Sequence, residues 1–313
     1  MSPRTPAVDP DRLAEWCREH LGSQPVDQLF SSGHLSAVVG LRLADGREVV
    51  IKIRPSSARI AACVEVQRRL FRAGFPCPRP LTRAVPFGAE VATAETYVPG
   101  GAELPSAGRA AVAFAEAFAR LIRLAPRPDE VASLDPAPAW AAWNHGGDGL
   151  WPSSAEHPEL DLNLVGGPDW IDEAGRRARD RLRAGESEPV IGHCDWLAGN
   201  LRWNGDTLLV VHDWDSMIVE SEAVLVGLAA ALYSTFSPDR LATVEDTERF
   251  LAAYCEARGR ELSADEVQRS WAAGVWTRAY DAKGEQVAGQ ITSLSEAETR
   301  ERLRRAGTGA RWR

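Results

Sequence analysis

The chain has 313 residues, 44% hydrophobic and 26% charged, as expected of a globular protein with one large or two ordinary domains. A formal net charge of −8 argues against nucleic acid or an anionic membrane as main partner, and no apolar run approaches membrane-spanning length. With no signal-peptide pattern at its start, the protein is expected in the cytoplasm. There the five scattered cysteines, Cys17, Cys63, Cys77, Cys194 and Cys255, read as reduced thiols.

In chain order, residues 9–21 predict a short amphipathic helix with Asp9 as N-cap before Pro10. From Gln28 the period changes to two, giving strands near 29–30, 37–43 and 49–53 with a tight turn at Asp45-Gly46. The polar loop Ser31-Ser32-Gly33-His34-Leu35-Ser36 could lay backbone N–H groups over phosphates, but taken alone it reads first as an ordinary hairpin. The third strand, Val49-Val50-Ile51-Lys52-Ile53, holds one of only two lysines in a chain with 36 basic residues, the other being Lys283. A lysine at a half-buried strand position needs a partner, because an unpaired buried charge is costly. Residues 57–73 predict a helix, capped by Ser56 or Ser57, stopped by Gly74 and carrying Glu65.

Prolines 76, 78 and 80 make the next segment an extended connector. Strands are expected at 81–84 and 89–97, and a break at 99–105 suggests a hinge. Beyond it, 107–124 is strongly helical, 125–140 is Pro-rich loop, 140–170 is irregular and rich in Trp, Gly and acids, and 171–184 is a charged helix. The stretch 190–217 follows. Helices are then expected at 220–235, 244–258 and 264–280, with a charged tail from Ser295. A β-rich part followed by a mainly helical part suggests an α+β chain of two lobes with a cleft between them.

The stretch Val190 to Met217 is the most informative. It reads as an apolar strand (Val190, Ile191), a polar turn His193-Cys194-Asp195, Asn200, a Gly-containing turn Asn204-Gly205-Asp206, and an apolar strand 208–211 leading to Asp213 and Asp215. Two strands joined by a Gly-containing turn carry their polar ends to the same edge of a sheet and bring carboxylates and an amide together, a set able to hold a divalent metal and accept a proton from a hydroxyl.

His193-Cys194-Asp195, Asn200 five residues later and His212-Asp213-Trp214 resemble the catalytic segment of the aminoglycoside phosphotransferase family, relatives of the protein kinases. In that family the turn is usually His-Gly-Asp and the residue before the second Asp is apolar, so Cys194 and His212 depart from its pattern. The resemblance, spanning about residues 25 to 285, implies an α+β, two-lobed protein-kinase-like fold. Residues 1–98 would form a small β-rich N-lobe, and residues 99–313 a larger, mainly helical C-lobe. It implies ATP and Mg2+ as cofactors and a hydroxylated small molecule as acceptor, such as an aminoglycoside, another antibiotic or an amino sugar. Antibiotic resistance, antibiotic biosynthesis and primary metabolism are all compatible with it.

By the same resemblance Asp195 would accept or orient the acceptor hydroxyl, and His193 would brace the catalytic loop. Asn200 and Asp213 would hold the metal, Lys52 held by Glu65 would neutralise phosphate, and Gly33 to Ser36 would lie over the phosphates. The backbone from Glu95 through Tyr97 to Val98 would meet adenine. Trp196, Asp215 and Asp281 are candidates for acceptor contact. The alternative class is a non-catalytic nucleotide-binding protein on the same fold; a metal-dependent hydrolase would leave Lys52 without a role. The oligomeric state is not readable from the sequence.

Overall fold

The computed structural model describes residues 8–33, 36–104, 109–153, 160–185, 187–235, 241–287 and 294–309, so His34 and Leu35 of the expected phosphate loop lie outside the described residues. Helix α1 (Pro10–Leu21) starts where expected, with the Asp9 carboxylate accepting from the Asp11 and Arg12 N–H groups at 3.0 and 3.3 Å. Five antiparallel strands follow: β1 (Pro25–Ser32), β2 (Ala37–Leu43), β3 (Glu48–Pro55), β4 (Val85–Phe87) and β5 (Glu90–Thr96), in the order β1-β2-β3-β5-β4. Helix α2 (Ala58–Arg72) crosses between β3 and β4. Ser57 occupies its N-cap position but makes no side-chain cap bond.

The centre of the sheet is β3, with Lys52 paired to Val38 on β2 and Thr93 on β5. Side chains alternate across a strand, so β3 has two different faces. Val49, Ile51 and Ile53 join Val39, Leu41, Ala92 and Ala94 in a core closed by Leu13, Trp16 and Cys17 of α1. Lys52 and Arg54 point the other way, toward α2, and both are buried.

The strand expected at 81–84 lies later, at β4. The N–H groups of Leu81 and Thr82 both turn to the Ala94 carbonyl, at 2.8 and 3.3 Å, so this segment forms no ladder of its own. After β5 the chain is tied to the second part by reciprocal backbone bonds between Ala102 and Trp203.

That second part contains α3 (Ala110–Leu124), α4 (Asp169–Arg183), β6 (Pro189–His193), β7 (Leu201–Asn204), β8 (Thr207–Val211) and β9 (Met217–Ser221). Helices α5 (Glu222–Leu232), α6 (Val244–Arg258), α7 (Ala264–Val287) and α8 (Glu296–Arg305) complete it. One large core unites these helices. It also takes in Ala62, Cys63, Val66 and Leu70 of α2, so that helix is packed on the helical part as well as beside the sheet.

Three expectations need correction here. The strand at 190–191 does not lie beside 208–211: β6 pairs with β9, and β8 forms a hairpin with β7 around Gly205-Asp206. Helix α7 continues past 280 because Lys283, although charged, is buried inside, its Nζ donating to the Val165 carbonyl at 2.7 Å and facing Asp172 at 3.1 Å. The expected charged tail is helix α8, whose N-cap Ser295 accepts from the Glu298 N–H. All five cysteines are free, and no helix among the described residues is long and apolar enough to cross a membrane.

Helix α5 is buried along its whole length and crosses α7 closely at Gly227, where a Cβ would stand 2.1 Å from the Ser270 carbonyl oxygen. Backbone on both sides cannot give way. Gly227→Ala is therefore expected to destabilise the protein by about 1–3 kcal/mol through overpacking, measured by chemical denaturation; an unchanged unfolding midpoint would contradict this crossing.

Candidate active site

The turn after β6 is built around a buried histidine. The His193 ring accepts at Nδ1 from the Asp195 N–H (3.2 Å) and meets the His212 carbonyl at Nε2 (3.1 Å). These two bonds require a neutral ring with its proton on Nε2. Burial pushes its pKa down to about 4. Trp196 and Trp214 stand edge-on to the ring at 5.8 and 5.9 Å. His193 thus ties the Asp195 backbone to the His212 carbonyl just beyond β8.

Asp195 is followed by a 3-10 turn, Ala198–Asn200, that brings Asn200 back to it. The Asn200 amide nitrogen donates to both the Asp195 carbonyl and carboxylate at 2.9 Å. Its side-chain oxygen is left as the group a cation would use. Cys194 takes the place of glycine without strain, since Asp213 is the one non-glycine residue at positive φ among those described. Burial raises the Cys194 thiol well above its ordinary value, which suits a packed thiol and not a nucleophile.

Asp213 sits at φ 63°, ψ 51°, a left-handed conformation that costs on the order of 1 kcal/mol. Its neighbours hold it there. The His212 N–H donates to Asn200, the Ser216 N–H to the Asp213 carbonyl, and the Ser216 hydroxyl to the Asp213 carboxylate at 3.2 Å. The indole of Trp214 donates to Val211 at 2.9 Å. Burial and the adjacent Asp215 push the Asp213 pKa up to about 8. Burial also opposes ionisation of Asp215, but the charges of Arg54 and Lys52 outweigh it and hold this carboxyl well below its usual range.

Lys52 does not meet Glu65. Its Nζ lies 3.2 Å from the Glu95 carboxylate on the neighbouring strand. Glu95 in turn accepts from the Gln67 amide of α2 at 2.8 Å. Glu65 faces away, paired with Arg68 and Arg69 of its own helix at 2.9 and 3.0 Å. The helix position that faces β3 is Gln67, two residues on, and its neutral amide reaches the lysine only through Glu95. Burial works against the charge on Lys52; Glu95, with Asp213 and Asp215 beyond it, more than offsets this and raises its pKa.

Arg54, on the same face of β3 as Lys52, meets the Asp215 carboxylate at 2.5 Å. Sequence reasoning missed Arg54, although its spacing of two from Lys52 was a readable signal.

One cavity of about 830 Å³ is lined by Gly33, Ser36, Arg59, Trp140, Asp195, Asp213, Asp215 and Asp281; Lys52, Arg54 and Glu95 lie outside this lining, around a smaller pocket that Asp215 also borders. Gly33 is needed at its edge: with φ 128°, a Cβ would fall 1.8 Å from the Ser36 carbonyl oxygen. Asp281 enters from α7 and is exposed to the cavity. Trp196 does not line it. That side chain is fully buried, donating to Phe114 at 3.2 Å and stacked edge-on to Phe118, so it supports the loop and cannot touch an acceptor. At the expected adenine edge the Thr96 and Tyr97 N–H groups are taken by Arg79 and Glu48, and the Tyr97 ring rests on Phe30. Neither N–H is therefore open to a ligand at this edge.

The donor set fits a divalent cation completed by phosphate oxygens. Asp213 and the Asn200 side-chain oxygen would be hard oxygen donors to it, and one Asp215 oxygen is buried without a partner among the described residues. No group of three or more His, Cys, Asp or Glu among the described residues could hold a metal ion alone.

Without a cation, the folded chain keeps the Asp213 proton up to about pH 8, whereas the unfolded chain loses it near 3.8. The folded state then binds the extra proton across this window, so stability falls as pH rises through it. Metal-free Asp213→Asn is expected to melt above wild type, by a margin that widens from about pH 5 to about pH 8. Equal melting temperatures across that range would contradict the buried carboxylate.

A family model, the phosphotransferase enzyme family, matches residues 27–262. No curated protein matches the chain in sequence. Among solved structures, the chain is similar to an amicoumacin kinase in complex with AMP-PNP and Ca2+, with a TM-score of 0.62 at 15% identity, covering 95% of this chain and 93% of that one. It is similar to a spectinomycin phosphotransferase in complex with ADP and its antibiotic, with a TM-score of 0.58 at 11% identity, covering 96% and 94%. A choline/ethanolamine kinase family protein from Mesorhizobium loti gives a TM-score of 0.53 at 16% identity, covering 94% of each chain. These likenesses establish the α+β, protein-kinase-like fold, and the family match establishes that the chain belongs to the phosphotransferase enzyme family, enzymes that act on hydroxyl groups of small molecules.

Proposed function

We propose that the protein is a cytoplasmic, ATP- and Mg2+-dependent kinase that transfers the γ-phosphoryl group to a hydroxyl of a small molecule. The observation that carries this reading is the single cavity that brings together Gly33, Ser36, Asp195, Asp213 and Asp281. Catalysis of phosphoryl transfer is mainly positioning and charge compensation, and the site is organised for both. Asp195, aimed by His193 and Asn200, accepts or orients the proton of the acceptor hydroxyl. Lys52, held by Glu95, places a buried positive charge for phosphate oxygens. Gly33 and Ser36 border the phosphate end. Asp213 and the Asn200 oxygen would hold Mg2+, which when bound neutralises phosphate charge.

The acceptor end lies between Trp140 and Asp281. A carboxylate in that wall favours an amine-bearing acceptor such as an aminoglycoside or amino sugar. The lack of a Glu65–Lys52 bridge is the observation that would favour a non-catalytic nucleotide-binding protein. Glu95 removes that argument by supplying the missing carboxylate.

Two experiments test this reading. Purified protein should consume ATP in the presence of at least one compound from a panel of amine-bearing hydroxylated acceptors. Asp195→Ala should lower that turnover by about 10²–10⁴-fold. Nucleotide binding without acceptor-dependent turnover on any compound would favour the non-catalytic alternative. Glu95→Gln should raise the KM for ATP by about tenfold, corresponding to about 1.4 kcal/mol, while Glu65→Gln stays close to wild type. The reverse order of effects would show that Lys52 relies on the helix glutamate during turnover.

A further inference from the structure

The turn that carries Asp213 is gripped from the N-terminal side by two arginines. Arg54 of β3 meets the Asp215 carboxylate at 2.5 Å and also reaches the Thr93 hydroxyl at 3.3 Å. Arg59, in the first turn of α2, donates to the Asp215 carbonyl at 2.6 Å, to the Met217 carbonyl at 2.8 Å and to the Leu134 carbonyl at 3.1 Å. Asp215 is thus held at both its side chain and its backbone. Asp213, two residues earlier, is in a left-handed conformation that the chain would leave if the turn were free. Arg54 and Arg59 approach from different elements, so their grip also fixes β3 and α2 against the helical part. The ion pair is well placed for this role: Arg54 is buried, and a charge-assisted bond in a buried setting is directional.

We propose that Arg54 and Arg59, acting through Asp215, are positioning residues that hold the 213–217 turn in the conformation in which Asp213 can take a divalent cation. The pair Lys52–Glu95, on neighbouring strands, serves the phosphates, and the clamp on Asp215 serves the cation on the facing turn. This rests on the proposed Mg2+-nucleotide site.

The test is calorimetric titration of AMP-PNP into wild type, Arg54→Met, Arg54→Lys, Asp215→Asn and the Arg54→Met/Asp215→Asn double variant, with and without Mg2+. Wild type should bind more tightly with Mg2+. In Arg54→Met the Kd with Mg2+ should weaken by about tenfold, while the metal-free Kd changes by less than about twofold. Arg54→Lys should recover part of the loss. The double variant should be no weaker than the weaker single, as expected when both changes break one interaction. Circular dichroism melting of each variant checks folding, and Arg54→Lys together with Asp215→Asn keeps the test open if Arg54→Met does not fold. An equal loss with and without Mg2+ would make Arg54 a phosphate contact and overturn the proposal, as would fully additive effects in the double variant. Wild type that gains nothing from Mg2+ would instead overturn the Mg2+-nucleotide reading on which the clamp rests.

Discussion

Two cations two residues apart on one buried strand, Lys52 and Arg54, face two carboxylates two residues apart on one turn, Asp213 and Asp215. Neither set is tolerable alone. A buried lysine and arginine without partners, or two buried carboxylates side by side, would each carry a desolvation penalty of several kcal/mol. Opposed across the cleft, each set compensates the other. The Arg54–Asp215 contact at 2.5 Å closes one half, and Lys52 takes Glu95 at 3.2 Å while still sensing Asp213. The imbalance that remains sits on Asp213, and it fits a site completed by a cation and phosphate.

The apolar framework serves this charge arrangement. Alternation along β3 sends Val49, Ile51 and Ile53 into the sheet core, and this leaves Lys52 and Arg54 on the cleft face. Helix α2 is bound into the larger core through Ala62, Cys63, Val66 and Leu70, so Gln67 and Arg59 reach the site from a fixed base. Trp196 and Trp214 pack around His193 and hold the two carboxylate-bearing turns together. Several tryptophans that sequence alone could assign to ligand stacking are structural: Trp151 and Trp276 pack together at 5.1 Å in the helical core.

Much of this was legible before the structure. The strands around Lys52 and the helix limits of α1 and α6 follow from periodicity and capping, which are local, and the short spacing of Asp195 and Asn200 puts them on one turn. Partner choice was not legible, because it depends on the relative rotation and depth of packed elements. The family resemblance implied Glu65 as the partner of Lys52, yet the rotation of α2 turns it to Arg68 and Arg69 and presents Gln67 instead. Strand pairing was misread for a related reason. The β6–β9 ladder joins residues across the whole catalytic stretch, and short apolar runs carry no signal of which distant run they will meet. Trp196 stands beside Asp195 in sequence but points into the core, a direction that neighbouring residue types do not reveal.

On this reading the two facing charge sets form one cation–phosphate site. A crystal structure with Mn2+ and AMP-PNP, using the anomalous signal of manganese, tests it most directly. A manganese peak is expected between the Asp213 carboxylate and the Asn200 side-chain oxygen, with the phosphates reaching Lys52. Manganese and nucleotide bound away from both Asp213 and Lys52 would contradict it.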